Sequence, residues 1–216
     1  MKWLKIVVFL YITITMYADC KNYTKHKRWE QISNQRIFSV SGLVHYKNGF
    51  LIVHDNKRDN QPRISFFKNN KISPLIWPDS SLPYDLEAIS IIPSFKNQYI
   101  LMESTGKCYK IKIEQRNNQI TLMNIFQLET NEGMNLEGCI IAKGNFGYKI
   151  MYGDRGSDLR KSTLFIGDFN PINNNITNLV KHKIDLPAPS KHKRNIADLG
   201  IDKKNNLWTS ATSDPA

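Results

Sequence analysis

Acidic residues return through this chain in a fixed setting. Glu87, Glu137 and Asp198 each open an apolar stretch, in Glu87-Ala88-Ile89-Ser90, Glu137-Gly138-Cys139-Ile140 and Asp198-Leu199-Gly200-Ile201. Ser41-Gly42-Leu43-Val44 begins the same way with a hydroxyl in place of the carboxylate, and the intervals are 87 − 41 = 46, 137 − 87 = 50 and 198 − 137 = 61 residues. A second polar set closes the apolar run that follows each opening: His54 with Asp55, Glu103 with Ser104, Asp154 with Arg155, and Asp214 last. Carboxylates crowded at one place either raise one another's pKa or are neutralised by a cation. Oxygen donors without cysteine or paired histidines select Ca²⁺ or Mg²⁺ rather than zinc. The chemistry on offer is a Ca²⁺ centre drawn from Glu87, Glu137, Asp198, Asp55, Glu103 and Asp154, with a metal-bound water as the attacking group. The structural alternative is that each acid caps a strand end or takes up neighbouring backbone N–H groups.

Bringing such distant residues together requires a repeating scaffold, and the runs between them supply it. Each opening and its successor (Phe50 to Val53, Tyr99 to Met102, Tyr148 to Tyr152, Leu207 to Thr209) read as an inner hairpin of strands A and B, rich in β-branched and aromatic residues. Strand C follows at Arg63 to Phe67, Cys108 to Ile113 and Ser162 to Ile166; strand D follows at Ile72 to Trp77, Ile120 to Leu128 and Ile176 to Leu186. Tyr109, Ile111 and Ile113 alternate with Lys110 and Lys112 as a half-buried strand requires. Asn69-Asn70, Asn117-Asn118 and Asn173-Asn174-Asn175 lie between C and D, where tight hairpins need positive φ.

Antiparallel strands in fours at these intervals predict an all-β fold, a β-propeller of four-stranded antiparallel blades. A β-sandwich gives no reason for an acid to recur at every fourth strand. The chain holds about three and a half blades; at a mean spacing of (198 − 41)/3, about 52 residues, a six-bladed ring needs roughly 300 residues in this architecture. The propeller domain is expected over 35–216, truncated at its C-terminus, with Gln35 to Val40 as an outer strand closing the last blade and Trp208 packed between blades.

In a propeller the D-to-A and B-to-C connections share one face, so both acidic sets meet at one channel mouth. His54 beside Asp55 is read there either as a solvated imidazole or as a general base; neighbouring strand residues face opposite ways, so the pair is no charge relay. Arg155, in Gly153-Asp154-Arg155-Gly156, either clamps a phosphate or carboxylate or closes a salt-bridged turn.

Composition bounds the rest. The chain has 216 residues, 41% hydrophobic and 23% charged, which suits one globular domain and excludes disorder and coiled coil. Its net charge, 30 − 19 = +11, predicts peripheral contact with anionic surfaces, unless codon bias alone accounts for the lysines. Cys20, Cys108 and Cys139 lack C-x-x-C spacing, which excludes a cysteine zinc site; Cys108 and Cys139 are read as buried free thiols, with a disulfide between them as the alternative that export would allow. Lys2 and Lys5, the apolar run Ile6 to Met16 and the small Ala18 predict a signal peptide over 1–18, then a basic segment over 19–34, in a secreted or periplasmic monomer. Lipidation at Cys20 is the alternative. Export, and the lack of a helix or stacking platform, exclude nucleic acid.

The strand openings Ser41-Gly42-Leu43, Leu86-Glu87-Ala88-Ile89, Leu136-Glu137-Gly138 and Asp198-Leu199-Gly200-Ile201 resemble those of exported β-propellers in the esterase-like phytase and SdiA-regulated groups. The resemblance runs from about Ser41 to Asp214. It implies the calcium-dependent phosphotriesterase-like superfamily, six blades, a central divalent cation, and hydrolysis of ester, phosphoester or lactone bonds in a small anionic or ester substrate. The chain departs from lactonase-type members in lacking Asn at the matching strand starts. A non-catalytic propeller that binds an envelope ligand or protein at the same mouth is the competing function.

Overall fold

The computed structural model describes residues 31–157, 159–185 and 195–212. The leader, Cys20, the basic segment up to residue 30, Asp158, the loop over 186–194 and Asp214 lie outside the described residues.

The protein is an all-β propeller arc of three four-stranded antiparallel blades and a two-stranded fourth. Blade 1 is β1 (Gly42–Tyr46), β2 (Gly49–Val53), β3 (Ile64–Lys68) and β4 (Lys71–Pro74); blade 2 is β5 (Leu86–Ile91), β6 (Gln98–Glu103), β7 (Lys107–Ile113) and β8 (Ile120–Gln127). Blade 3 is β9 (Leu136–Gly144), β10 (Gly147–Asp154), β11 (Ser162–Asn170) and β12 (Asn175–Ile184); β13 (Asn195–Ile201) and β14 (Leu207–Thr212) form the inner hairpin of blade 4. The innermost strands β1, β5, β9 and β13 pack side by side in that order. Asn70, Asn118 and Asn174 carry φ of 57°, 58° and 61° in the outer hairpins, as their sequence predicts.

Blades 2 and 3 are apolar on both faces because each is sandwiched by its neighbours. Leu51, Val53 and Ile64 of blade 1 meet Leu101, Tyr109 and Ile111 of blade 2. Met102 and Cys108 of blade 2 meet Tyr152 and Phe165 of blade 3, whose rings stack at 4.6 Å. Ile140, Met151 and Leu164 pack against Ile196 and Leu199 of blade 4. Cys108 and Cys139 are free and buried in the middle layer, and burial pushes the Cys139 thiol up to about 12.

Three local expectations fail. Gln35 to Val40 is no strand: Arg36–Phe38 forms a 3-10 turn, because the Phe38 and Ser39 amides bond back to Gln35 and Arg36 carbonyls and the Arg36 fork is held by Asp55. The outer strand of blade 1 stops at Pro74 rather than Trp77, which turns inward to meet Tyr109 edge-on at 5.4 Å. Trp208 is 62% exposed, its indole N–H donating to Asp202 Oδ2 at 3.1 Å.

Gly138 fixes how closely blades 3 and 4 approach. Its φ is +66°, and a Cβ there would lie 2.6 Å from the backbone nitrogen of Leu199. Gly138→Ala is expected to cost about 2 kcal/mol, combining a strained φ with displacement of the neighbouring strand. Thermal unfolding measures it, and the Glu137 neighbourhood shifts with it.

Candidate functional site at the channel mouth

Three of the inner strands, β5, β9 and β13, do not leave the mouth as regular ladders. In β5, Leu86 pairs with Glu103 and Ala88 with Met102, leaving Glu87 as the extra residue of a bulge. In β9 the extra residue is Gly138, and in β13 it is Ala197. A bulge re-aims side chains and blunts an edge strand, which is where these inner strands lie. The acids that share a sequence motif therefore hold three different places: Glu87 on the bulge, Glu137 just before it and Asp198 just after it.

They nevertheless share one electrostatic neighbourhood. Burial first, then the charges of Glu137, Asp85 and Asp55, push the Glu87 carboxyl up to about 8, with Lys57 opposing. Burial raises Glu137 to about 7; Arg155 opposes the rise, and Asp85 and Asp198 add to it. Asp198 is raised by burial against the pull of the Leu199 N–H at 2.7 Å. Glu137 receives Arg155 Nη1 at 3.4 Å and Asn135 Nδ2 at 3.1 Å. Glu87 makes no hydrogen bond or ion pair among the described residues.

Asp55 belongs to a different arrangement. It takes both guanidinium nitrogens of Arg36, at 2.8 and 2.6 Å, which hold its carboxyl below the usual range. Asp85 and Lys57, which sequence reasoning missed, add an ion pair of 3.1 Å at this mouth, and Asp85 also accepts from Ser104 Oγ at 2.8 Å. A signal for Asp85 exists: Asp85-Leu86-Glu87 aligns with Asn135-Leu136-Glu137, and the carbonyls of Asp85 and Asn135 accept from the amides of Ser104 and Arg155.

The residues that end the B strands have another duty. His54, Glu103 and Asp154 are 0%, 5% and 0% exposed, and each ties the connection entering its own blade. His54 Nδ1 lies 2.8 Å from the Ser39 carbonyl, Glu103 Oε1 accepts from the Tyr84 amide at 2.8 Å, and Asp154 Oδ1 accepts from the Asn135 amide at 3.2 Å. Their remaining valences are used inside the blades, by Ser65 Oγ, the Tyr109 hydroxyl and Arg160 respectively. His54 is thus not a solvated histidine. A carbonyl can only accept, so Nδ1 carries the proton, Nε2 accepts from Ser65, and burial lowers the pKa of the ring. Glu103 and Asp154 make the contacts that the structural alternative expects of strand-end caps.

Calcium suits the donor chemistry of the mouth. Among the described residues no group of three His, Cys, Asp or Glu side chains is placed to hold one metal ion. Arg155 is at the mouth as its sequence setting predicts, half-buried, with Glu137 as its carboxylate partner.

No protein-family model and no curated protein matches the chain. Among solved structures it is similar to a protein from Lactobacillus plantarum, with 10% identity and a TM-score of 0.46, over 81% of this chain and 64% of that one. It is also similar to the WD40 β-propeller domain of Doa1, with 11% identity and a TM-score of 0.37, over 81% of this chain and 60% of that one. The chain thus spans less than two thirds of either structure.

Proposed function

We propose that the protein is an exported, ligand-binding propeller whose site is the mouth formed by the starts of β5, β9 and β13. The observation that carries this reading is Glu87, a partly buried carboxyl with no partner among the described residues, beside the Glu137–Arg155 pair. Such a site suits a small ligand that presents an ammonium or other strong donor to Glu87 and an acceptor to Arg155. Buried acids held near or above neutral pH release protons when a cation arrives, so binding at pH 7 has a measurable proton count.

Calorimetric titration of the full chain with a panel of small amines, amino acids and CaCl₂, in buffers of different ionisation enthalpy, tests it. Expected are a ligand from the amine or amino acid set and about one proton released, with release lost in Glu87→Gln. Binding without proton release, or no binding by the panel, rejects the reading.

A hydrolase of ester, phosphoester or lactone bonds, as the resemblance to esterase-like phytases suggests, is favoured by one feature: Glu87, protonated at neutral pH, stands in the same neighbourhood as an ionisable Glu137 and an anion-binding Arg155. Turnover of a phosphoester and lactone panel that falls at least tenfold in Glu87→Gln replaces the binding reading with this one.

A further inference from the structure

The acids concentrate at the mouth, while the opposite face carries the positive charge. That face is made by the A-to-B and C-to-D turns, and hydrogen bonds hold the turns level: across blades, Lys47 Nζ donates to the Gln115 carbonyl at 2.6 Å and Lys143 Nζ to Ser94 Oγ at 3.0 Å, and within blade 2, Gln115 Nε2 donates to Asn97 Oδ1 at 3.3 Å. Lys47, Lys96, Arg116, Lys143, Lys203 and Lys204 stand on these turns, all exposed and none in an ion pair among the described residues. The acids at this edge are already engaged. Glu114 pairs with Lys112 at 2.8 Å, Asp168 pairs with Lys149 at 2.7 Å, and Asp202 accepts from the Lys204 and Asn206 amides and from Trp208.

Two large apolar side chains project from the same face. Phe146, 104% exposed, is at the β9–β10 turn, and Ile172, 79% exposed, is at the β11–β12 turn of the same blade. Ile76 and Leu159 are comparably exposed in connections on the mouth side, where the acids repel an anionic surface. We propose that the face opposite the mouth docks on an anionic lipid membrane, with Phe146 and Ile172 entering the headgroup boundary and the surrounding lysines lying over the lipid charge. Basic residues are drawn to an anionic leaflet within a Debye length, and apolar tips in the interface gain what they lose in water. A soluble polyanion would satisfy the lysines and leave Phe146 and Ile172 in water, which is why lipid is the partner that fits. Docked so, the mouth faces away from the membrane and stays open to its ligand.

The test is co-sedimentation of the full chain with phosphatidylcholine vesicles containing 30% phosphatidylglycerol, against vesicles of phosphatidylcholine alone. Phe146→Ser/Ile172→Ser and Lys96→Glu/Lys203→Glu/Lys204→Glu are compared with the parent in the full chain, so residues 1–30 contribute equally. Both changes lie on exposed turns, and circular dichroism confirms the fold of each variant. Expected are preference for anionic vesicles that weakens in high salt, and roughly a tenfold loss of partitioning in each variant. Equal binding to both vesicle types, or equal partitioning of parent and Phe146→Ser/Ile172→Ser, overturns the proposal. Tight binding to dextran sulfate with no loss in that double variant and no vesicle preference assigns the face to a polyanion instead.

Discussion

At pH 8 and above, Glu87→Gln is expected to unfold at a higher temperature than the parent, by roughly 5–10 °C, while at pH 5 the two are expected to unfold nearly together. Burial raises the Glu87 carboxyl from an ordinary 4.5 to about 8, so between those values the folded chain holds a proton that the unfolded chain has lost. Stability contributed by such a group is fully present below the unfolded pKa and drains away as pH rises through the folded one. Glutamine keeps the shape and is neutral throughout, which removes the loss. The difference at high pH is on the order of 3 kcal/mol after allowance for the remaining solvent contact. Glu137, raised to about 7, leaves the variant a smaller decline that is complete once pH passes that value. Thermal melts of the two proteins from pH 5 to pH 9 measure this. Parallel curves would mean that Glu87 is well hydrated and would withdraw it from the site.

Asp154→Ala is expected to be among the most damaging single changes at the mouth, about 3 kcal/mol by urea unfolding, because it removes a fully buried acceptor from the Asn135 amide and the half-exposed Arg160 guanidinium. The Asp154 side chain is fully buried, takes both terminal nitrogens of Arg160 and accepts the Asn135 amide. Asp154→Asn keeps one acceptor and costs less, on the order of 2 kcal/mol. If Asp154 instead ligated calcium, chelation would destabilise the parent as much as the mutation does. The expected result is that chelator leaves the parent's urea midpoint unchanged.

Sequence legibility was high wherever local chemistry decides the structure. The alternation in Tyr109 to Ile113, the β-branched runs and the Asn pairs between C and D each specify a strand or a tight turn from neighbouring residues alone, and their recurrence specifies the propeller. Glu87, Glu137 and Asp198 were legible as acids at one mouth for the same reason: the openings of repeated inner strands must meet. Gln35 to Val40 misled because an extended-looking segment folded on itself once Arg36 found Asp55, a partner 19 residues away. Trp208 misled because hydrophobicity sets a preference for burial, not the presence of a neighbour to supply it.

What the sequence determined by itself was the periodicity: which residues form strands, which form turns, and which acids begin the inner ones. Only the tertiary structure decided what each acid does. Bulges at Glu87, Gly138 and Ala197 displaced three motif-equivalent carboxylates to unequal places, and the B-strand ends at His54, Glu103 and Asp154 were engaged by backbone groups of the connections that enter their blades. The physical reason is that strand identity follows from local sterics and a two-residue period, whereas a carboxylate's role depends on which donors reach it and how much water remains, and both are fixed by residues distant in the chain.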